Sequence, residues 1–166
     1  MTAWREMRQS DLAAVLATAA VVHPGYPEDA AVFAERLALH AAGCRVLADA
    51  ADRVLGYTLT HPWCYGAPPK LNTLLRAIPA DADTYYLHDI AILPAARGAG
   101  AATALLALLA EHAAALGLTR MSLVAVNASR PIWEKRGFVV AADARPDLAS
   151  YGGEAWFMAR GYTKPR

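Results

Sequence analysis

A chain of 166 residues has the length of one domain, expected to run over residues 1–166, and is long enough to bury a full core. Its 16 Lys and Arg against 15 Asp and Glu leave a net charge of +1 and no basic run to neutralise a row of phosphates, which argues against a nucleic-acid partner. The longest uncharged stretch, Leu12 to Pro27, is interrupted by Pro24 and falls short of the ~18 apolar residues of a membrane span. Arg5 and Glu6 stand where a leader peptide would be apolar, so a soluble cytoplasmic protein with no membrane partner is expected. Cys44 and Cys64 form neither a metal-ligand spacing nor a disulfide framework; buried reduced thiols and no metal are expected.

In chain order, Ala3 to Arg8 reads as a short strand, and Ser10-Asp11 as the N-cap of a helix over Leu12 to Val22 that His23-Pro24-Gly25 stops. A second helix is predicted from Pro27-Glu28-Asp29, whose acidic groups suit the positive helix end, to just before Gly43, with Phe33, Leu37 and His40 near one face. Arg45 to Ala48 and Val54 to Leu59 read as strands joined by the polar turn around Asp49 and Asp52, hence an antiparallel hairpin. The proline-bearing segment from Pro62 to Asp83 reads as an elaborated surface loop with one helix-like patch, Leu71 to Ile78.

Thr84 to Leu93 is predicted as a strand ended by Pro94, and Arg97 to Gly100 as a glycine-bearing turn. Ala101 to Leu116 follows as a helix with Leu105, Leu106, Leu108, Leu109 and Leu116 on its buried side and Gly117 as C-cap. Met121 to Val126 is a further strand, Ser129 to Arg136 a short helix ended by Gly137, and Phe138 to Ala142 and Ala155 to Arg160 the last strands. Strand, helix and strand in the middle imply a parallel pair with a right-handed crossover, while the flanking hairpins run antiparallel. The fold class expected is α/β: a mixed, mostly antiparallel sheet with a central parallel pair, flanked by helices.

The turn Arg97-Gly98-Ala99-Gly100-Ala101-Ala102-Thr103 lies between a strand and a helix start, where free N–H groups and the positive end of the dipole hold anions. Small residues at Gly98, Gly100 and Ala102 let a diphosphate approach the backbone, and Arg97 and Thr103 add a charge and a hydroxyl. A tight strand-to-helix turn without a ligand fits the local sequence equally well. A P-loop fits poorly because its Lys is missing, and a dinucleotide fingerprint fits poorly with Thr103 where it needs Gly or Ala.

These residues resemble the GNAT superfamily of N-acetyltransferases, whose signature is Gln or Arg, two residues, Gly, one residue, then Gly or Ala; Arg97, Gly100 and Ala102 match it. The resemblance extends back through Ile90-Ala91-Ile92-Leu93-Pro94 and forward through Asn127 and Trp133-Glu134-Lys135-Arg136-Gly137-Phe138, covering Thr84 to Val140. It implies acetyl-CoA as cosubstrate, with the N–H groups of Gly98, Ala99, Gly100, Ala101, Ala102 and Thr103 on the diphosphate. It places the pantetheine arm between strands diverging near Leu93 and Val126, with Ile90 and Ile92 near the thioester and Asn127 near the arm.

Acetyl transfer needs an uncharged amine, so a base must take its proton. His88 is the candidate: with residues two apart sharing a strand face, it is expected beside Tyr86, Ile90 and Ile92, and Asp89 on the opposite face. In some GNAT enzymes acting on arylalkylamines a catalytic His occupies the position His88 matches. Tyr86 is the second candidate, although a phenol of pKa ~10 is a poor base at neutral pH. Trp133 stands where many members carry a Tyr that protonates the CoA thiolate, and its indole N–H is no usable acid; it is expected to pack against the pantetheine, wall off the acceptor, or sit in the core as an aromatic of a short helix. His23, His40, His61 and His112 read as ordinary residues, and Trp63, Tyr65 and Leu71-Asn72 as lining for an acceptor pocket.

The expected activity is direct transfer, in a ternary complex, to a primary amine: a small molecule or a protein N-terminus. A catalytically weak CoA-binding domain with a sensing or regulatory role is the alternative. The sequence is compatible with a monomer or a homodimer.

Overall fold

The computed structural model describes residues 1–161. Strands β1 (Thr2–Glu6), β2 (Cys44–Asp49), β3 (Val54–Trp63), β4 (Thr84–Ile92), β5 (Arg120–Val126), β6 (Val139–Val140) and β7 (Ala155–Gly161) form one sheet in the order β1-β2-β3-β4-β5-β7-β6. Helices α1 (Leu12–Val22), α2 (Ala30–Leu39), α3 (Ala101–Ala115) and α4 (Arg130–Lys135) flank it. Only β4 and β5 are parallel, joined by the crossover through α3; all other neighbours are antiparallel. The sheet is thus the mixed one expected from the sequence.

Two apolar clusters cover its faces. Tyr85, Leu87, Met121, Leu123 and Met158 pack with Leu105, Leu106, Leu109 and Ala113 of α3, while Val46, Tyr57, Leu59 and Ala91 pack with Val15 of α1 and Phe33 and Leu37 of α2. Leu108 and Leu116 were expected on the buried side of α3 but are 37% and 47% exposed. Leu116 is the C-cap residue, and Gly117 follows at φ +80, a left-handed position suited to glycine. The N–H of Gly117 reaches Ala114 C=O and that of Leu118 reaches Ala113 C=O, the paired bonds of a Schellman stop.

Other expectations are corrected. Asp11 does not cap α1: its carboxylate turns back to accept the Arg8 N–H and to pair with Arg5 at 2.8 Å, and a 3-10 turn over Gln9–Asp11 precedes the helix. The patch from Leu71 to Ile78 is irregular, because Asn72 (φ +55) and Arg76 (φ +71) leave the helical region as backbone N–H groups donate to the carboxylates of Glu28 and Glu35. The strand expected over Phe138 to Ala142 shrinks to Val139–Val140, and Phe138 is core. Cys44 is buried and Cys64 half-buried; both are free, and burial pushes the Cys44 thiol up to about 12. Among the described residues no helix is long and apolar enough to cross a membrane, and no three His, Cys, Asp or Glu side chains gather to hold a metal.

Candidate active site

The parallel pair is short. Tyr85, Tyr86 and Leu87 pair with Met121, Ser122 and Leu123, and beyond these the strands part. The gap opens a cleft of about 940 Å³ that runs from the start of α3 to the loop before α2. Ile90, Ile92, Arg97, Gly98, Gly100, Ala101, Ala102, Thr103, Asn127 and Trp133 all line it, as does His88. Ala99 does not; it faces a second depression, against β1.

At one end of the cleft the backbone is shaped for an anion. Gly98 and Gly100 take φ +86 and +78, and a Cβ at either would meet nothing within 4 Å, so the turn presents bare main chain to open space. The first α3 bond runs from Ala104 N–H to Gly100 C=O, which leaves the N–H groups of Ala101, Ala102 and Thr103 ahead of the helical ladder. Trp4 of β1 braces this turn from behind by donating its indole N–H to Ala101 C=O at 2.8 Å. Arg97 is folded onto Ile92 C=O at 2.9 Å. A second cation, missed in the sequence, is Arg136 beyond α4: it lines the cleft and donates to Thr103 Oγ1 at 3.2 Å. A basic residue closing α4 was the available signal.

The other end is built around an irregularity in β4. Leu59 pairs with Asp89 and Thr60 with Leu87, so His88 is an extra residue in the ladder. This bulge breaks the alternation by one step. His88 stays on the face of Tyr86 and His61, with ring centroids 6.2 and 6.5 Å away, and Asp89 joins that face; Ile90 turns to the α3 side. The expectation that Ile90 shares the face of His88 and that Asp89 opposes it is therefore overturned.

The face carries two carboxylate–imidazole pairs. His88 Nε2 lies 2.8 Å from Glu28 Oε1, with side chains 1% and 5% exposed, and Asn72 N–H donates to Glu28 Oε2 at 2.9 Å. Burial raises the Glu28 pKa, but the His88 hydrogen bond and charge, with the Asn72 N–H, outweigh it and hold the carboxyl below its ordinary range. Asp89 accepts from His23 Nε2 at 2.8 Å and from Tyr57 OH. Burial opposes the His23 charge, yet the Asp89 hydrogen bond and field raise its pKa above the usual 6.5. Burial, then Asp89, drive the Tyr57 phenol upward, so it remains a donor.

Glu28 and His23, both lining the cleft, were not singled out for function from the sequence. Glu28 read as a helix-dipole residue, whereas it stands just outside α2 and turns to a strand sixty positions away. Tyr86 lies beneath the cleft: it is 1% exposed, its hydroxyl 3.5 Å from that of Tyr151, and burial pushes its pKa well up. Tyr151 does line the cleft and donates to Pro69 C=O at 2.7 Å. Of the residues expected around an acceptor, Leu71 lines the cleft and Asn72 supports Glu28. Trp63 donates to Ala67 C=O, and Tyr65 packs against Phe157 and under Arg120, away from it. Trp133 is edge-on to Phe138 at 5.5 Å, so it both lines the cleft and borders the core.

Residues 4–138 match the model of the Acetyltransferase (GNAT) family, and the chain belongs to that family. Solved structures share the fold at low identity. The GphF GNAT-like decarboxylase in complex with isobutyryl-CoA has a TM-score of 0.75 at 18% identity over 96% of this chain and 98% of that one. The NatC complex bound to Gag peptide and CoA gives 0.75 at 12% identity over 98% and 99%. The ribosomal-protein-S18-alanine N-acetyltransferase from Escherichia coli gives 0.67 at 18% identity over 97% and 94%. No curated protein matches the chain.

Proposed function

We propose that the protein transfers an acetyl group from acetyl-CoA directly to a primary amine. The observation that carries this reading is one continuous cleft with an anion-binding helix start at one end and a buried Glu28–His88 pair at the other. The N–H groups from Gly98 to Thr103, with Arg97 and Arg136, would hold the diphosphate, and the open space over Gly98 and Gly100 fits it. The parted edges of β4 and β5 leave main-chain groups near Ile90, Ile92 and Asn127 for the arm. The cosubstrate supplies an activated acyl group; the chain supplies position and proton transfer.

Glu28 and Asp89 place negative charge where an ammonium would enter, and Val22, Pro24, Tyr26 and Leu71 give it an apolar surround. The ammonium yields one proton to His88, which is held in place by Glu28. The free amine forms the C–N bond as the C–S bond breaks, and the nitrogen's surplus proton leaves with the thiolate. A CoA thiol is acidic enough, near the ~8.5 of free Cys, to depart without the acid that Trp133 does not supply. Among family relatives of the same fold, some bear names that specify peptide or alanine acceptors, which supports an amine acceptor here.

The test is CoA release from acetyl-CoA across a panel of small amines and N-terminal peptides, with calorimetric binding of acetyl-CoA alongside. His88→Ala is expected to lower turnover about 10²-fold or more with acetyl-CoA affinity kept within about twofold. Tight CoA binding without amine-dependent release would instead support the sensing role.

A further inference from the structure

Beneath the cleft, two imidazoles of the same cluster each keep one buried nitrogen with no hydrogen-bond partner among the described residues: His61 Nε2 and His88 Nδ1. Their ring centroids are 6.5 Å apart, and Tyr86 lies against both, at 5.6 Å from His61 and 6.2 Å from His88. Both tautomers can be read from the opposite side of each ring. His61 Nδ1 faces Pro62 C=O at 2.9 Å, and a carbonyl only accepts, so Nδ1 carries the hydrogen and Nε2 is a bare acceptor. His88 Nε2 faces the Glu28 carboxylate at 2.8 Å, so Nε2 carries the hydrogen and Nδ1 is bare in the neutral ring.

Two bare acceptors cannot satisfy each other. Left dry, each would lose the free energy of a buried polar group without a partner. A group that satisfies both must donate twice, and water does so. With ring centroids 6.5 Å apart, the two rings are close enough for one water to donate to a nitrogen of each. The same water also suits the protonated ring: it accepts from Nδ1–H of His88 while still donating to His61.

We infer that His61 is a positioning residue that holds a buried water against His88 Nδ1, and that this water passes on the amine's proton, accepting it on a free lone pair as it gives its own hydrogen to Nδ1. His61 itself does not take the proton, because burial, with the nearby His88 and Arg36 charges, lowers its pKa to about 3. This rests on the reading of His88 as the base. The groups that bear on His88 are Glu28 before α2, His61 of β3, and Tyr86 and Asp89 of β4, with Asp89 paired to His23; Tyr151 and Arg36 reach it through Tyr86 and Glu28. None of these groups hydrogen-bonds Nδ1, so a water is what would solvate that side in both charge states.

The test has a structural arm and a kinetic arm. In the wild type, a crystal structure at about 1.8 Å or better is expected to show an ordered water between His61 Nε2 and His88 Nδ1. Imidazole 15N spectra of the same protein are expected to show neutral His88 protonated at Nε2 and bare at Nδ1. An empty site between the rings, or a neutral His88 protonated at Nδ1, overturns the proposal. His61→Phe removes the water's anchor, and His61→Gln keeps an acceptor. The acid limb of the turnover profile is expected to move to lower pH by about half a unit or more in the Phe variant, because the charged ring has lost its water. It is expected to return in the Gln variant, with KM for acetyl-CoA unchanged in both. Identical limbs in wild type and folded His61→Phe overturn the proposal. A water and tautomer as described, combined with full turnover in His88→Ala, would leave the water site standing and remove the reading of His88 as the base.

Discussion

On the proposed mechanism Glu28 and Trp133 bear on different parts of the chemistry, and each can be changed by a few atoms. Glu28→Gln removes the charge and keeps an oxygen for only one of the two donors, His88 Nε2 on Oε1 or Asn72 N–H on Oε2. Turnover is expected to drop about 10–10²-fold, less than for His88→Ala, and the acid limb to move to lower pH because the protonated ring has lost its counter-charge. A pH–rate profile indistinguishable from wild type would mean that Glu28 only packs. Trp133→Phe keeps the aromatic body against Phe138 and loses only the N–H, so steady-state turnover is expected to stay within about tenfold. Trp133→Ala opens space beside the core and is expected to do worse. A Phe variant as inactive as His88→Ala would show the indole N–H to be catalytic. His88 was singled out in the sequence from strand alternation and the family resemblance, and the structure places it on the cleft. Its partner was not singled out, since the Glu28–His88 contact spans sixty positions and no local pattern reports it.

The glycine turn before α3 and the Schellman stop after it form a matched pair, which separates backbone strain from loss of a binding site. Gly100 at φ +78 and Gly117 at φ +80 both have open space where a Cβ would point, but only Gly100 borders the cleft. A side chain in the left-handed region costs roughly 1–2 kcal/mol at either position. Gly100→Val and Gly117→Val are therefore expected to lower thermal stability by similar amounts, while only Gly100→Val weakens CoA binding, by about tenfold or more in a calorimetric titration. Equal CoA affinity in the two variants would remove the assignment of this turn to the diphosphate. Such elements were readable because glycine spacing, helical period and strand alternation are local. The bulge was not: alternation alone puts Asp89 opposite His88, and the slip appears only when β4 pairs with Leu59 and Thr60 of β3. The missing helix at Leu71 to Ile78 has the same cause, since Glu28 and Glu35 draw the backbone N–H groups of Asn72, Leu75 and Arg76 away from a helical ladder.

Across the whole molecule, four histidines that read as ordinary are expected to shape the pH dependence of folding, in opposing directions. His40 and His112 meet with their Nε2 atoms 3.0 Å apart, so one donates, the other accepts, and both cannot carry a proton. Burial, then the His112 charge, lowers the His40 pKa to about 4; burial, then Arg45, lowers that of His112; His61 is held near 3. For all three the unfolded chain binds a proton near the usual 6.5 while the native state refuses it. The unfolded state therefore holds more protons between about pH 6.5 and 4, and native stability falls as pH falls through that window. His23 acts with the reverse sign. Its folded pKa is raised by Asp89, so its contribution is fully present below 6.5 and is lost as pH rises through the folded value. A stability maximum near neutrality follows, with the steeper side toward acid. Each excess proton is worth up to about 1.4 kcal/mol per pH unit, less for half-exposed His112, where solvent screens the pair. His40→Gln removes one refused proton. Urea unfolding at pH 7, 6 and 5 is expected to give a smaller loss of stability toward acid in this variant than in the wild type, with the same m value. A wild-type stability that is flat over this range, or an unchanged slope in His40→Gln, would mean that the imidazole pair opens to admit both protons without disturbing the fold.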